Sequence, residues 1–217
     1  MLALLCVTAI ALVQAQTPPQ ETLTAQERAF LDTAGPIVFV SQSNYPPFEF
    51  VDPSTGARKG MMIELATWIS TEFGFHAEFT DAVFLDAQRA VEEGRAHVLT
   101  SFFYSEERDH HFDFTDTVFE IPATIFVVAD RPDITGLTSL YGKRIAIQRG
   151  DYALDFLASK GIDFTLISTD SFDQASAAVI EGRADALIGD EQIVLHYLYS
   201  NGLNARMKKV GEPLYVG

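Results

Sequence analysis

The sequence predicts a two-lobed α/β protein, and three observations lead to this prediction. Strand-like and helix-like segments alternate along most of the chain, the order that builds parallel sheets covered by helices. The same order occurs twice, in the first and again in the second half. Residues 90–97 (AVEEGRAH) are echoed by residues 178–185 (AVIEGRAD), although two helix-to-strand junctions can share Gly and Ala because the turn requires them. Together these features predict two similar lobes with a ligand site between them.

The first half is predicted to begin with a short helix and then to alternate. Residues 22–27 (TLTAQE) have the pattern of a capped helix leading to Leu31. Apolar residues at helical spacing from Met62 to Phe73 predict a helix that ends at Gly74. The other predicted elements are strands over residues 36–40, 48–51, 75–79 and 97–101 and a helix over 87–93 that stops at Gly94.

The second half repeats this alternation of strands and helices. Apolar runs and alternation predict strands over residues 124–128, 144–148, 164–167 and 184–188. Helical spacing predicts helices over residues 152–159, 172–181 and 193–199. Because strands and helices alternate, we expect a mostly parallel sheet.

Residues 41–50 (SQSNYPPFEF) run from an apolar strand into polar residues and a double proline ringed by aromatics. Proline lacks a backbone donor and restricts the residue before it, so residues 45–47 cannot continue a central strand. The chain therefore leaves the sheet with a ring, hydroxyls and amides at the carboxyl end of a strand, where open α/β sheets place ligands. A rigid turn whose rings cap the core is the alternative explanation.

Residues 1–16 form an apolar segment with the features of a secretory signal, cleaved after Ala15. The segment is short for a membrane span and lacks an initial Lys or Arg, so an uncleaved anchor or an upstream start stays open. Cys6 is the single cysteine of the chain and lies within it. The exported part therefore has no cysteine for a disulfide, a thiolate metal site or a nucleophile.

The 217 residues carry a formal net charge of −15, and none of their charged side chains lies in residues 1–16. Such an acidic chain is a poor partner for nucleic acid or anionic lipid. The length and a hydrophobic content of 47% predict one large domain or two lobes with a real core. We expect no nucleic-acid partner.

Residues 109–113 (DHHFD) could suggest a metal site. Adjacent histidines on one short helix diverge, however, and no second pair of ligands stands out in the sequence. The sequence also has no Gly-rich phosphate loop, and no Ser-His-Asp arrangement can be singled out. We therefore predict neither a metal, nor a cofactor, nor catalysis.

A series of short motifs occurs in an order known from one protein family. They are YPPFEF at residues 45–50, Gly60 with Glu64 and Leu65, GRA at 94–96, SEER at 105–108 with FDFT at 112–115, YGKRIAIQRG at 141–150, GRADA at 182–186 and GEPL at 211–214. In this order they resemble the landmarks of the family 3 extracellular solute-binding proteins, the type 2 periplasmic binding proteins that include the polar amino-acid binders. The resemblance covers about residues 37–217, and the ordered set is specific although each motif alone is weak.

The resemblance implies two α/β lobes, joined by two crossing strands, that close on a ligand. By position, a linker and short helix cover residues 17–35, lobe 1 covers 36–119 and lobe 2 covers 120–213. The first crossing lies near residues 118–122, and the return crossing begins at 214–217. Family members continue for some tens of residues to complete lobe 1. We therefore expect a piece of a longer protein whose first lobe has an exposed edge and is less stable than the second.

Two charged residues match the ligand grip of the family. The resemblance assigns Arg108 to a ligand carboxylate, which suits a planar guanidinium, and Asp190 to a ligand ammonium group. Ser105 is expected to cap the short helix that carries Arg108. Each residue has an alternative: Arg108 as a surface arginine paired with Glu106 and Glu107, and Asp190 as the N-cap of the helix that follows it. With one residue on each lobe, only the closed form would satisfy an amino acid.

Further matched positions surround the same cleft. The resemblance implies that Tyr45 and Phe84 flank the ligand side chain and that Gln42 reads its polar group. It also implies a polar contact from Ser101. Gln148 and Gly150 match a loop at a helix N-terminus that can hold an anion. An amide at Gln42 suits an uncharged or acidic ligand group better than a cation. Phe103 and Tyr152 depart from the family, which usually has a hydroxyl residue and a small residue there. Both narrow the cleft with apolar surface, so an aromatic, smaller or non-amino carboxylate ligand is an alternative to an ordinary α-amino acid.

The function implied by the resemblance is extracytoplasmic binding of a small, carboxylate-bearing solute. The partner would be the membrane permease of an ABC transporter or the chain's own membrane-bound signalling domain. Residues 23–31 (LTAQERAFL) and 103–108 (FYSEER) resemble sensor domains of histidine kinases and diguanylate cyclases, which slightly favours sensing. A lyase of this fold is a further alternative, and it would need a cleft carboxylate of raised pKa.

Overall fold

The computed structural model describes residues 23–217, so the predicted signal or anchor lies outside the described residues. The chain divides into two units, Met1–Ala34 and Gly35–Gly217. No helix within the described residues is long and apolar enough to cross a membrane.

Helix α1 (Ala25–Thr33) belongs to the first unit, and its start is a capping box. The amide of Glu27 donates to the Thr24 hydroxyl, and the amide of Thr24 donates to the Glu27 carboxylate at 2.7 Å. The predicted short, capped helix is confirmed.

The N-terminal half of the second unit, which we define as residues 35–121, is built on a small parallel sheet. Its elements are β1 (Ile37–Gln42), β2 (Asn44–Tyr45), β3 (Glu49–Val51), β4 (Arg58–Lys59), α2 (Met61–Phe73), β5 (Ala77–Ala82), α3 (Phe84–Glu92), β6 (Val98–Leu99) and α4 (Glu106–Asp109). The sheet has the order β5–β1–β6 and is parallel throughout. β2, β3 and β4 form a separate antiparallel sheet that carries the YPPFEF motif. β6 is shorter than the predicted strand, and in the described part of the chain it pairs with β1 alone.

The C-terminal half, residues 122–217, contains a five-stranded sheet between helices. Its elements are β7 (Pro122–Val128), a 3₁₀ turn (Leu137–Leu140), β8 (Arg144–Gln148), α5 (Ala153–Ser159), β9 (Thr165–Thr169), α6 (Phe172–Ile180), β10 (Ala186–Asp190), α7 (Glu191–Ser200) and β11 (Met207–Val216). The strand order is β11–β7–β10–β8–β9. β10, β8 and β9 are parallel, as predicted, because helices connect them. β7 runs antiparallel to both of its neighbours, β10 and β11, so the expectation of a mostly parallel sheet is wrong at this end.

Strand β11 was not predicted because its sequence, MKKVGEPLYV, interrupts apolar residues with lysines, Gly211 and Pro213. The strand lies at the edge of the sheet, the position where proline is tolerated. Its pairing with β7 shifts register between Val210 and Tyr215, and Gly211 adopts a φ of 71° there. The strand is therefore held by tertiary pairing rather than by its own pattern.

The two halves repeat one junction in atomic detail. At the first junction, Gly94 has a φ of 70°, and the next two amides both donate to the carbonyl of Ala90. At the second, Gly182 has a φ of 75°, and the next two amides both donate to the carbonyl of Ala178. The sequence echo thus corresponds to the same helix stop in both halves.

His97 and Asp185 occupy equivalent positions after these junctions. The amide of Val38 donates to His97 Nδ1 at 2.9 Å, and the amide of Arg144 donates to Asp185 Oδ2 at 2.8 Å. The backbone amides of His97 and Asp185 donate back to the carbonyls of Val38 and Arg144. The His97 ring therefore acts, like the Asp185 carboxylate, as the side-chain acceptor for a backbone amide near the start of the neighbouring strand.

Candidate functional site

A cavity of about 850 Å³ lies between the N-terminal and C-terminal halves of the second unit. It is lined by the predicted residues Gln42, Tyr45, Phe84, Ser101, Phe103, Arg108, Gln148, Tyr152 and Asp190. Gly150 adjoins it, because its carbonyl accepts hydrogen bonds from Gln88 and Arg108 of the other half. The structure therefore brings together the residues that the sequence placed in one cleft.

Arg108 is carried by the short helix α4 and points into the cavity rather than into solvent. The Ser105 side chain caps this helix by accepting from the Arg108 amide, as predicted. The guanidinium is buried and donates to the carbonyl oxygens of Phe103 at 2.8 Å and Gly150 at 2.9 Å. It also lies 4.2 Å from the centre of the Phe102 ring. The alternative of a surface arginine paired with neighbouring glutamates is wrong, because the Arg108 side chain is buried and its guanidinium donates to backbone carbonyls instead.

Asp190 ends β10 and stands at the N-cap position of α7, but its side chain makes no capping hydrogen bond. Instead, Tyr45 donates to Asp190 Oδ2 at 2.6 Å. Oδ1 is buried and has no hydrogen-bond partner among the described residues. Burial, followed by the negative charge of Asp151, raises the pKa of Asp190 well above its ordinary value. The capping alternative is thus wrong for the side chain, and one buried carboxylate oxygen of this cavity-lining residue is left without a partner in the described part of the chain.

Tyr45 shows why the strand β1 leads into a double proline. Its ring is buried and packs against Phe48 and Phe172, with ring centres 5.8 Å and 6.1 Å away. The amide of Met62, in the first turn of α2, donates to the carbonyl of Phe48 at 2.9 Å and holds the motif in place. The ring therefore caps the core, as in the alternative explanation, while its hydroxyl donates to Asp190, a residue that lines the cavity.

Two glutamines join the halves on one side of the cavity. Gln148 Nε2 donates to Gln42 Oε1 at 3.1 Å and to the carbonyl of Asp170 at 3.1 Å. Phe84 lies nearby and packs edge-on against Phe102, with ring centres 6.0 Å apart. The predicted reader and the predicted anion seat are therefore in direct contact.

The aromatic departures from the family pattern also line the cavity. Phe103 and Tyr152 both pack edge-on against Tyr215, with ring centres 6.2 Å and 5.0 Å away. Tyr215 lies on β11, so the unpredicted strand supplies the ring that both residues contact. These three rings add apolar surface beside Asp151, whose Oδ1 accepts from the Tyr215 hydroxyl at 3.2 Å.

A family model for bacterial extracellular solute-binding proteins, family 3, matches residues 37–164. The chain belongs to this family. The family and the α/β fold class predicted from the sequence are thereby confirmed.

Relatives and solved structures with this fold include amino-acid-binding proteins. The chain is 27% identical over 186 residues to the ABC transporter arginine-binding protein 1 of Escherichia coli (strain K12), covering 83% of this chain and 74% of that protein. It is 22% identical over 188 residues to the L-cystine-binding protein TcyA of Bacillus subtilis (strain 168), covering 85% of this chain and 69% of that protein.

Two solved structures have a similar fold and sequence identities of 29% and 27% to this chain. An ancestral arginine-binding protein bound to arginine has a TM-score of 0.74 and 29% identity, covering 84% of this chain and 83% of its own. A histidine kinase sensor domain with similarity to periplasmic binding proteins has a TM-score of 0.77 and 27% identity, covering 83% of this chain and 78% of its own. The fold of the solute-binding proteins thus serves a sensor as well as a free binding protein.

Glu49 belongs to the YPPFEF motif of this solute-binding protein, and its role was not predicted from the sequence. It is fully buried, and burial raises its pKa from 4.5 to about 7. The amide of Gln42 donates to its Oε1 at 2.7 Å, and the hydroxyls of Thr100 and Ser101 donate to its Oε2. Glu49 therefore ties the end of β1 to the segment after β6, and the predicted contact residue Ser101 uses its hydroxyl for this purpose.

Asp151 is the second buried carboxylate that the sequence analysis missed. It lies between two predicted positions, Gly150 and Tyr152, and lines the cavity. The available signal was its position at the start of a helix beside a predicted anion seat, where a carboxylate is unexpected. No group of three or more His, Cys, Asp or Glu side chains within residues 23–217 is placed to hold a metal ion.

Proposed function

We propose that this protein binds an amino acid, or another small carboxylate-bearing solute, outside the cytoplasm. One observation carries the proposal: a buried arginine from one half and a buried aspartate from the other face the same cavity. The family consists of extracellular solute-binding proteins, and relatives of this chain are named for binding arginine and cystine.

Arg108 is the proposed carboxylate partner. Two of the five N–H groups of a guanidinium are used, by the carbonyls of Phe103 and Gly150. The remaining N–H groups can form charge-assisted bonds to a carboxylate, and the Phe102 ring holds the plane of the guanidinium. Burial lowers the pKa of Arg108, and a bound carboxylate would compensate this desolvation.

Asp190 Oδ1 is the proposed ammonium partner. A buried carboxylate oxygen without a partner is costly, and a ligand ammonium group would satisfy it. Because Arg108 and Asp190 belong to different halves, a ligand that reaches both favours the closed arrangement over an open one. This differential contact is what a ligand needs to drive closure.

The remaining predicted residues would shape the ligand's surroundings. In the proposal, Tyr45 and Phe84 flank the ligand side chain, and Phe103 and Tyr152 narrow its space. Gln42, Ser101, Gln148 and Gly150 supply polar contacts. The proposal also keeps lobe 1 at residues 36–119, lobe 2 at 120–213 and the return crossing at 214–217.

The test is ligand screening followed by calorimetry. The protein would be screened by thermal shift against the twenty amino acids, and the affinity of each hit would be measured by titration calorimetry. Arg108→Lys and Asp190→Asn should each weaken binding at least about tenfold, because each removes a charge-assisted or bidentate contact. The exposed Arg95→Lys and Asp130→Asn proteins serve as matched controls. Unchanged affinity in both cavity variants would overturn the proposal.

Uptake and sensing are two uses of this binding that the proposal leaves in competition. Uptake with an ABC permease is supported by the arginine-binding relative, and sensing is supported by the kinase sensor domain of similar fold. Sequencing the gene in frame beyond residue 217 would separate them: a membrane span followed by a kinase or cyclase domain indicates a sensor, and a stop after some tens of residues indicates a transport receptor. We propose no catalysis, which predicts that mass spectrometry recovers the bound ligand unchanged.

A further inference from the structure

Asp151 is oriented into the cavity by the loop between β8 and α5. Its Oδ1 accepts from the amide of Ala153 at 2.7 Å and from the hydroxyl of Tyr215 at 3.2 Å. The residue is 8% exposed, and its Oδ2 has no hydrogen-bond partner among residues 23–217. The Ala153 amide and the Tyr215 hydroxyl thus hold one oxygen, and the other is left available to a ligand.

Asp151 and Asp190 act on each other electrostatically. Burial raises the pKa of both carboxyl groups, and the charge of Asp151 raises that of Asp190 further. Arg108 is the nearest buried cation, but it donates to backbone carbonyls and forms no ion pair in the described part of the chain. The guanidinium of Arg108 therefore interacts electrostatically with both buried carboxyl groups but forms a direct ion pair with neither.

The charge of the whole cavity lining is also negative. Arg108 is the sole Lys or Arg among the described lining residues, whereas five carboxylates line the cavity: Asp113, Asp116, Glu120, Asp151 and Asp190. Solvent screens the first three, which are exposed, and the two lining histidines, His97 and His111, are also exposed. With both buried carboxyl groups ionised, the buried balance with Arg108 is one excess negative charge, which a zwitterion would leave in place and a cation would neutralise.

We propose that Asp151 determines ligand specificity by making the cleft select a ligand of net positive charge, a basic amino acid or an amine, over its neutral isostere. The ammonium or guanidinium group of such a ligand would lie between Asp151 and Asp190. This inference rests on the proposed function and narrows its ligand class. Gln42 predicts the opposite preference, because its amide suits an uncharged or acidic ligand group. Experiment can therefore decide whether Asp151 or Gln42 determines the charge of the ligand.

The experiment compares three probes by titration calorimetry at pH 7. Arginine and citrulline have the same length but differ in charge, and agmatine is arginine without its carboxylate. Wild type should bind arginine at least about tenfold more tightly than citrulline, the range of a buried hydrogen bond to a charged group. Asp151→Asn should remove most of this preference while changing citrulline affinity by less than about threefold. Asn keeps an oxygen for the Ala153 amide, and circular dichroism checks the fold.

The control is Asp130→Asn, an exposed carboxylate outside the cavity lining, which should keep the wild-type preference. Citrulline, or any neutral or acidic amino acid, binding as tightly as arginine would overturn this inference and leave the proposed function in place. If Asp151→Asn had the same ratio of arginine affinity to citrulline affinity as wild type, this inference would also be overturned and the proposed function would stand. Binding of agmatine but not of arginine would support the inference and overturn the carboxylate half of the proposed function. Failure of every amino acid and of agmatine to bind would overturn both.

Discussion

Tyr45 donates a 2.6 Å hydrogen bond to Asp190, a residue 145 positions later in the chain, and both side chains are buried. The bond joins the YPPFEF motif of the N-terminal half to the end of β10 in the C-terminal half. It satisfies one oxygen of Asp190 and leaves the other without a partner in the described part of the chain. The two sides of the cavity are therefore connected through the same carboxylate that we propose as the ammonium partner.

Tyr45→Phe should lower the free energy of unfolding by about 1–3 kcal/mol, because it leaves both oxygens of a buried carboxylate without a hydrogen-bond donor. The measurement is urea unfolding followed by circular dichroism. Tyr199→Phe is the matched control, since Tyr199 is 67% exposed and should lose almost nothing. Equal losses in the two variants would show that the bond between Tyr45 and Asp190 contributes no stability.

Glu49→Gln should change how stability depends on pH. Folding raises the pKa of Glu49 from 4.5 to about 7, so the native state favours the protonated carboxyl group. This contribution is fully present below pH 4.5 and is lost as the pH rises through about 7, a total of about 3 kcal/mol. Gln resembles the protonated form, so the stability of the variant relative to wild type should rise by about this amount between pH 4 and pH 8.

The measurement for Glu49 is urea unfolding of both proteins at intervals of pH. Glu64→Gln is a suitable control, because Glu64 is exposed on α2. A difference between wild type and Glu49→Gln that stays constant over this pH range would contradict the assigned titration.

Gly60→Ala should be far more destabilising than Gly56→Ala. Gly60 has a φ of 118°, and a Cβ atom there would overlap the backbone carbonyl of Phe48. Gly56 has a φ of 70° with no atom within 4 Å of an added Cβ, so it should lose only about 1 kcal/mol from backbone strain. Since Phe48 O accepts from the Met62 amide, Gly60→Ala would displace the YPPFEF motif and cost about 3 kcal/mol or more.

Thermal and urea unfolding of the two glycine variants provide the comparison. If Gly60→Ala unfolded with the same free energy as Gly56→Ala, the close approach of α2 to the motif would be excluded.

His97→Asp should be tolerated better than His97→Ala. Asp185 is the equivalent acceptor in the C-terminal half, so a carboxylate at position 97 can also receive the amide of Val38. Alanine leaves that amide without its side-chain acceptor, and we expect a loss of about 0.5–1 kcal/mol in the free energy of unfolding, measured in urea. An Asp variant as unstable as the Ala variant would refute the equivalence of the two junctions.

Much of the fold was predictable because it is encoded locally. Helix α2 ends at Gly74 because a left-handed residue follows its last apolar turn, and Thr24 and Glu27 cap α1 within four residues of sequence. β11 was missed because an edge strand with lysines, a glycine and a proline has no local pattern, and its pairing with β7 decides it. The antiparallel direction of β7 was also missed, because its pairing with β10 and β11 decides it.

The sequence by itself determined the family, the alternation of strands and helices, and nine of the residues that line the cavity, because motifs and hydrophobic periodicity are local properties. The tertiary structure alone decided what those residues contact. It turned Asp190 from a helix cap toward Tyr45, buried Arg108 away from its neighbouring glutamates, and placed Asp151 in the same cavity lining as these two charged residues. Electrostatic environment depends on groups far apart in the chain, and it exists only after the chain has folded.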